Sequence, residues 1–236
     1  MAGWRARLGI MVPSVNKTME PELYRLAPEG VSLHFSRIRQ VEDTLEQLTR
    51  MIEDVPKVAI ELADAEVDVI AFGCTTGSLV KGPGYDKEII GKIEDSAHIK
   101  ATTTSTAVLE ALKELGIVRL SVATPYKEWL NEKEKEFLEA HGFEVLSIKG
   151  LSCLGPETAD VPSERVYRLA KDVYRPKADG IFISCTDLRS IEILQFLERD
   201  INKPVISSNQ ATIWMMLRIA EVKEKIMGYG RLLTQL

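Results

Sequence analysis

The chain is poor in the residues that hold metals and disulfides. It has three histidines, His34, His98 and His141, set far apart, and three cysteines, Cys74, Cys153 and Cys185, without a CxxC or HxxxH spacing. A zinc site is therefore not expected. An odd, sparse set of thiols fits a reducing, cytoplasmic setting better than a disulfide scaffold. Positive charge is in deficit as well: 30 Lys and Arg stand against 35 Asp and Glu, for a net charge of −5. No basic field invites nucleic acid or an anionic membrane. Nor does any apolar run approach the ~20 residues that span a bilayer. The opening MAGWRARLGIMVPSVN is basic and then apolar, but Pro13 and Asn16 cut it short, and it reads as a first strand rather than a signal peptide.

What is present is an alternation. Short apolar, β-branched runs at 8–12, 31–35, 67–72, 99–103, 120–124, 143–148, 180–184 and 204–208 read as strands. Stretches with apolar residues three and four apart, at 42–65, 106–116, 128–142, 163–174, 190–200 and 211–226, read as helices, with Gly116 and Gly142 placed to end two of them. Such alternation predicts parallel sheets flanked by helices. The strand runs lack polar alternation, which predicts cover on both faces.

The chain also repeats itself. Arg7 through Pro13 matches Arg119 through Pro125 at an offset of 112, Gly30 matches Gly142 at the same offset, and DVIAFGCT (68–75) matches DGIFISCT (179–186) at 111. KATTTSTAVLEAL (100–112) resembles KPVISSNQATIWMML (203–217). A two-fold duplication is expected: two Rossmann-like (flavodoxin-like) lobes of about four parallel strands each, related by a pseudo-two-fold axis. The expected boundaries are 1–116, with 209–236 packing back, and 117–208, with the active site between them.

Duplication places Cys74 and Cys185 at equivalent strand ends, where open α/β sheets bind ligands. A lone cysteine is usually a small buried hydrophobe, and Cys153, which has no counterpart, is read that way. Thr75, Thr76, Gly77 and Ser78 follow the first thiol, and Thr186 and Ser190 follow the second. Small hydroxylated turns with free N–H groups suit an anion. A helix N-terminus would also lower the thiol pKa, so reactive thiolates are expected. EKEKE (132–136) reads as a solvated helix face. KGPGYDKE (81–88), which has no match in the second half, is expected to lid the cleft or touch a neighbouring subunit.

VPSVNKTMEPE (12–22), FGCTTGS (72–78), KGPGY (81–85), ATTTSTAVLEAL (101–112), ATPYKEWLN (123–131), ISCTDLRS (183–190) and SSNQATIW (207–214) together resemble the maleate cis–trans isomerase and arylmalonate decarboxylase family of the aspartate/glutamate racemase superfamily. The resemblance covers about residues 7–220. It implies Cys74 and Cys185 as catalytic thiols, since decarboxylase members carry glycine at the first position. It implies Asn16, Thr75, Thr76, Ser78, Tyr126 and Thr186 as contacts to a small dicarboxylate, with Ser208 and Asn209 in support. A cofactor-independent isomerase working by thiolate addition is the expected activity, and a homo-oligomer the expected assembly. The alternatives are a two-cysteine racemase of an acidic amino acid, an arylmalonate-type decarboxylase and a carboxylate-binding module without turnover. One departure stands out. The loop 154–164, LGPETADVPSE, lacks the asparagine that isomerases carry there, with Gly155 nearest and Glu157, Thr158 and Asp160 beside it. A substrate with an amino group or a different second polar arm is then possible.

Overall fold

A computed structural model describes residues 3–153 and 155–236; Leu154, at the start of the departing loop, lies outside the described residues. The strands are β1 (Ala6–Pro13), β2 (Val31–Ile38), β3 (Val69–Phe72), β4 (Ala101–Thr103), β5 (Arg119–Thr124), β6 (Glu144–Gly150), β7 (Gly180–Ile183) and β8 (Val205–Ser207). Each falls on one of the expected runs. They form two four-stranded sheets of the same order, β2-β1-β3-β4 and β6-β5-β7-β8, with every pairing parallel. The inner strands β3 and β7 are buried at every residue, as helices on both faces require.

The duplication extends to single hydrogen bonds. The Asp68 amide donates to the Arg7 carbonyl at 2.8 Å, and the Asp179 amide to the Arg119 carbonyl at 2.7 Å. The Asp68 and Asp179 carboxylates accept the Arg7 and Arg119 amides in return, at 2.7 and 2.9 Å. At the other strand ends the Gly73 amide reaches the Met11 carbonyl at 2.7 Å and the Ser184 amide the Ala123 carbonyl at 2.8 Å. The residues that follow are Cys74 and Cys185.

The helices are α1 (Met19–Leu26), α2 (Leu45–Arg50), α3 (Val55–Ala63), α4 (Thr75–Leu79), α5 (Tyr85–Ala97), α6 (Thr104–Glu114), α7 (Glu128–Ala140), α8 (Ser163–Val173), α9 (Leu194–Ile201) and α10 (Ser208–Ile219). The single helix expected over 42–65 is broken into α2, a 3₁₀ turn at Met51–Glu53, and α3. Pro56 in the first turn of α3 has no N–H to continue the ladder. α10 starts three residues earlier than expected because Ser207 and Gln210 form a capping box. It stops at Ile219, where Glu221 turns left-handed and the Val222 amide closes back on the Leu217 carbonyl. α9 begins only at Leu194, for a reason that belongs to the site. Helices α1, α4 and α5 were not expected from periodicity. Among the described residues no helix is long and apolar enough to cross a membrane.

Candidate active site

One pocket opens between the ends of the two sheets. Asn16, Cys74, Thr75, Thr76, Tyr126, Cys185 and Thr186 border it. Both cysteines are free thiols, Cys74 buried and Cys185 half-buried. Cys74 is extended and caps α4, its sulfur accepting the Gly77 amide at 3.3 Å and lying 3.8 Å from the Thr76 hydroxyl. Gly73 just before it is required: a Cβ there would stand 2.8 Å from the Met11 carbonyl oxygen and 2.7 Å from the Met19 sulfur. The second turn departs from the first. Cys185 holds φ of +97°, a strained value for a side-chain-bearing residue, and accepts the Asp187 amide on its sulfur at 3.4 Å.

Ser208 fastens the two turns together. Its hydroxyl oxygen accepts from the Cys185 amide and from the Thr75 hydroxyl, both at 3.0 Å. Asn16 and Thr186 make a second tie. The Asn16 side-chain amide donates to the Thr186 hydroxyl at 3.1 Å, and that hydroxyl donates to the Gly73 carbonyl at 3.2 Å. The Asn16 carbonyl meanwhile accepts the Thr18 and Met19 amides at the start of α1. Asn209 donates to the Thr186 carbonyl at 3.0 Å and to Glu22 at 2.7 Å. Glu22, a buried carboxylate from α1, accepts the Ser190 and Ile191 amides at 2.7 and 3.2 Å. These amides serve a side chain from the other lobe, which explains the late start of α9.

Ser78 is the expected contact that does not border the pocket. Its hydroxyl donates back to the Cys74 and Thr75 carbonyls at 2.8 and 3.0 Å and meets Ser105 at 2.7 Å. It shapes the turn from behind. Residues 81–88 do not lid the cleft either. Tyr85 and Asp86 open α5 and are buried, with Asp86 accepting the Thr106 hydroxyl at 2.5 Å. Two other loops close over the pocket instead, Gln40–Asp43 and the 3₁₀ turn Gly155–Asp160. They touch: a Cβ on Gly155 would stand 3.1 Å from the Val41 carbonyl oxygen. Where the asparagine was missing, Gly155 and Thr158 face the pocket, whereas Asp160 pairs with Lys17 at 3.2 Å.

The electrostatics overturn the expected thiolates. Burial pushes the Cys74 thiol up to about 12. Burial, with the carboxylates of Asp187 and Asp43, pushes Cys185 well above its usual value. α4 has only five residues, and no Lys, Arg or His borders the pocket among the described residues. Desolvation therefore outweighs the hydrogen bonds to sulfur, and both thiols rest as S–H. Tyr126 is likewise held neutral, chiefly by burial.

Glu134 lies in EKEKE, expected to be a solvated face, yet it is 1% exposed. Its neighbours Lys133 and Glu136 pair with each other in solvent at 2.7 Å. Its spacing with Leu130, Phe137 and Leu138 is the sequence signal that puts it inward. One oxygen accepts the Ser184 hydroxyl at 2.5 Å, and Ser184 also lies 3.4 Å from the Tyr126 hydroxyl. The other oxygen has no partner among the described residues. Burial pushes Glu134 up to about 8, so it is a neutral acid at pH 7. A raised carboxyl pKa means that the folded chain holds this proton more tightly than the unfolded chain does. Its contribution to stability is complete below about 4.5 and is lost as pH rises through about 8. Urea unfolding between pH 5 and 9 should lose on the order of a few kcal/mol across that window, and Glu134→Gln should flatten the slope. An unchanged slope in the variant would remove this account.

Comparison with known proteins follows the same geometry. A sequence profile of the arylmalonate decarboxylase family matches residues 8–233. The maleate isomerase Iso of Pseudomonas putida S16, solved as a cysteine-to-alanine variant with maleate, superposes with a TM-score of 0.93 at 29% identity, over 97% of each chain. The Nocardia farcinica maleate cis–trans isomerase, solved as a cysteine-to-serine variant with a covalently bound succinylcysteine intermediate, gives 0.93 at 28%, over 98% of each. The arylmalonate decarboxylase of Bordetella bronchiseptica is 28% identical over 97% of this chain and 96% of its own length. With the profile match spanning both cysteine turns, this chain belongs to the arylmalonate decarboxylase family.

Proposed function

We propose that the chain is a cofactor-independent cis–trans isomerase of a small unsaturated dicarboxylate, converting a maleate-like acid to its fumarate-like isomer through a covalent cysteine adduct. The observation that carries this reading is the placing of Cys74 and Cys185 on one pocket with the donor side chains Asn16, Thr75, Thr76 and Thr186. The succinylcysteine held by the Nocardia relative is the adduct such a route passes through.

In this scheme the Cys74 sulfur bonds one alkene carbon, and the π electrons move to the neighbouring carbon and its carboxylate. Cys185 delivers its S–H proton to that neighbouring carbon, and the proton leaving Cys74 replaces it. The sum is one S–H added across the double bond. Rotation about the new single bond turns cis to trans. Cys185 then withdraws a proton from the same carbon, the double bond re-forms, and Cys74 departs and regains its proton. Neutral resting thiols suit this exchange, because each keeps its proton until the partner carbon takes or gives one. Asn16, Thr75, Thr76 and Thr186 hold a carboxylate, and the neutral Tyr126 hydroxyl donates to the charge that develops. Ser78, Ser208 and Asn209 position the turns.

The units proposed to enclose the site are residues 1–116 with 209–236, and 117–208. The free thiols support a reducing, cytoplasmic setting, and exposed apolar side chains such as Trp4, Tyr24 and Phe196 support a homo-oligomer. The test of the activity is proton NMR of maleate incubated with the purified chain without added cofactor. Fumarate should accumulate. Unchanged maleate alongside decarboxylation of an arylmalonate would move the activity to the decarboxylase branch.

A further inference from the structure

The two sides of the pocket differ in hydrogen-bonding polarity. The strand-end side keeps donors: the Thr76 hydroxyl and the Asn16 N–H not given to Thr186, beside the Thr75 and Thr186 hydroxyls, which donate to Ser208 and to the Gly73 carbonyl, and beside Asp187, whose carboxylate accepts the Lys17 and Thr18 amides. The loop side sets two acceptors, Gln40 and Asp43, beside the single hydroxyl of Thr158. Gln40 is 3% exposed, and both its N–H groups are directed at acceptors on its own loop, the Glu42 carbonyl at 2.9 Å and Asp43 Oδ1 at 3.1 Å. That fixes which side-chain atom is oxygen and leaves Gln40 Oε1 without a donor among the described residues. Asp43 Oδ2 likewise has no donor among them. Both residues border the pocket. The Asp43 charge reaches the sulfurs of Cys74 and Cys185 and the hydroxyl of Tyr126.

Two acceptors without a donor among the described residues, one of them a carboxylate, form a poor seat for the second carboxylate of a dianion. Like charges a few ångströms apart repel, and among the described residues no cation borders the pocket to offset them. A primary amide or amine, by contrast, has hydrogens for both oxygens. We propose that Gln40 and Asp43 select a small acid whose far end is a neutral or cationic nitrogen donor, such as the half-amide of a cis-butenedioic acid, over the symmetric dicarboxylate. This selection rests on the isomerase reading for its chemistry and on the loop geometry for its preference. The nitrogen end meets Asp43 and Gln40, while the carboxylate meets the strand-end donors. Addition of Cys74 and exchange of the proton with Cys185 proceed as for the diacid, with no new bond type. The product is the trans half-amide.

Binding and turnover separate the two claims. Calorimetry with the unreactive saturated analogues, succinamate and succinate, reads the preference alone. Wild type should bind succinamate at least about tenfold more tightly, and Asp43→Asn, which replaces one acceptor oxygen by a donor, should reverse the order. Asp43→Ser is the second variant should Asn at this position disturb the loop, and it should erase the preference. Equal or tighter binding of succinate by wild type, or a ratio that neither variant moves, would overturn the proposal. Turnover of maleamate and maleate is measured in parallel. A higher kcat/KM for maleamate supports both claims. If neither compound is isomerised while the binding preference stands, the selectivity holds and the isomerase reading fails.

Discussion

Cys74→Ala should bring isomerisation down to the uncatalysed background, a loss of at least about 10⁴-fold in kcat, or some 5–6 kcal/mol of transition-state stabilisation. The reasoning is covalent rather than electrostatic. Without the sulfur the double bond is not opened: Cys185 faces the neighbouring carbon as the proton-exchanging group, and Thr75 and Thr76 have hydroxyl groups far less nucleophilic than a thiol at neutral pH. Binding should survive, because Asn16, Thr186 and the remaining pocket hydroxyls are untouched. Stability should fall by no more than about 1–2 kcal/mol, since the sulfur's hydrogen bonds are one weak amide bond at 3.3 Å and one hydroxyl at 3.8 Å and the rest of the loss is one buried sulfur's packing. The expected signature is lost kcat with a near-normal dissociation constant. Stopped assays at high enzyme concentration with calorimetry on the same sample check it. Normal turnover in this variant would eliminate thiol addition.

Cys185→Ser should be nearly as damaging to turnover, about 10³-fold or more, but in a different way. Its sulfur has the Tyr126 hydroxyl and the Asp187 amide beside it, and it sits at the strained φ of +97°, which aims it without help from a helix end. Serine keeps the shape and gives up the proton-exchanging ability of the thiol. Addition by Cys74 can still occur when water supplies the proton, whereas elimination lacks its base. The adduct should therefore accumulate in Cys185→Ser, and single-turnover experiments should find fast loss of maleate with slow release of fumarate. Equal slowing of both phases would assign Cys185 to binding alone.

The fold was legible because its signals are local. The run VIAF in β3 and GIFI in β7 are apolar and buried along their whole length, and such runs announce themselves without knowledge of partners. The site was half legible for a related reason. Cys74 and Cys185 stand out only because the chain repeats, and the repeat carries them to matching strand ends. The remainder depends on contacts far apart in sequence. Gln40 and Asp43 reach the pocket through a loop after β2, and nothing in their neighbours marks them. Glu22 looks like an ordinary first-turn acid, yet it is spent on amides 168 and 169 residues away. Glu134 was hidden inside a run of exposed charge. The expectation of thiolates failed because it weighed a helix end and not desolvation, and with a five-residue helix and no neighbouring cation among the described residues, desolvation wins.

The pairing of two sulfurs on one small acid is tested most directly by the intact mass of Cys185→Ser after mixing with maleate, followed by peptide mapping. The account predicts a gain of one maleic acid, located on the peptide that contains Cys74 and absent from the Cys74→Ala, Cys185→Ser double variant. An unmodified Cys74, or the same mass gain found on Cys153, would contradict it.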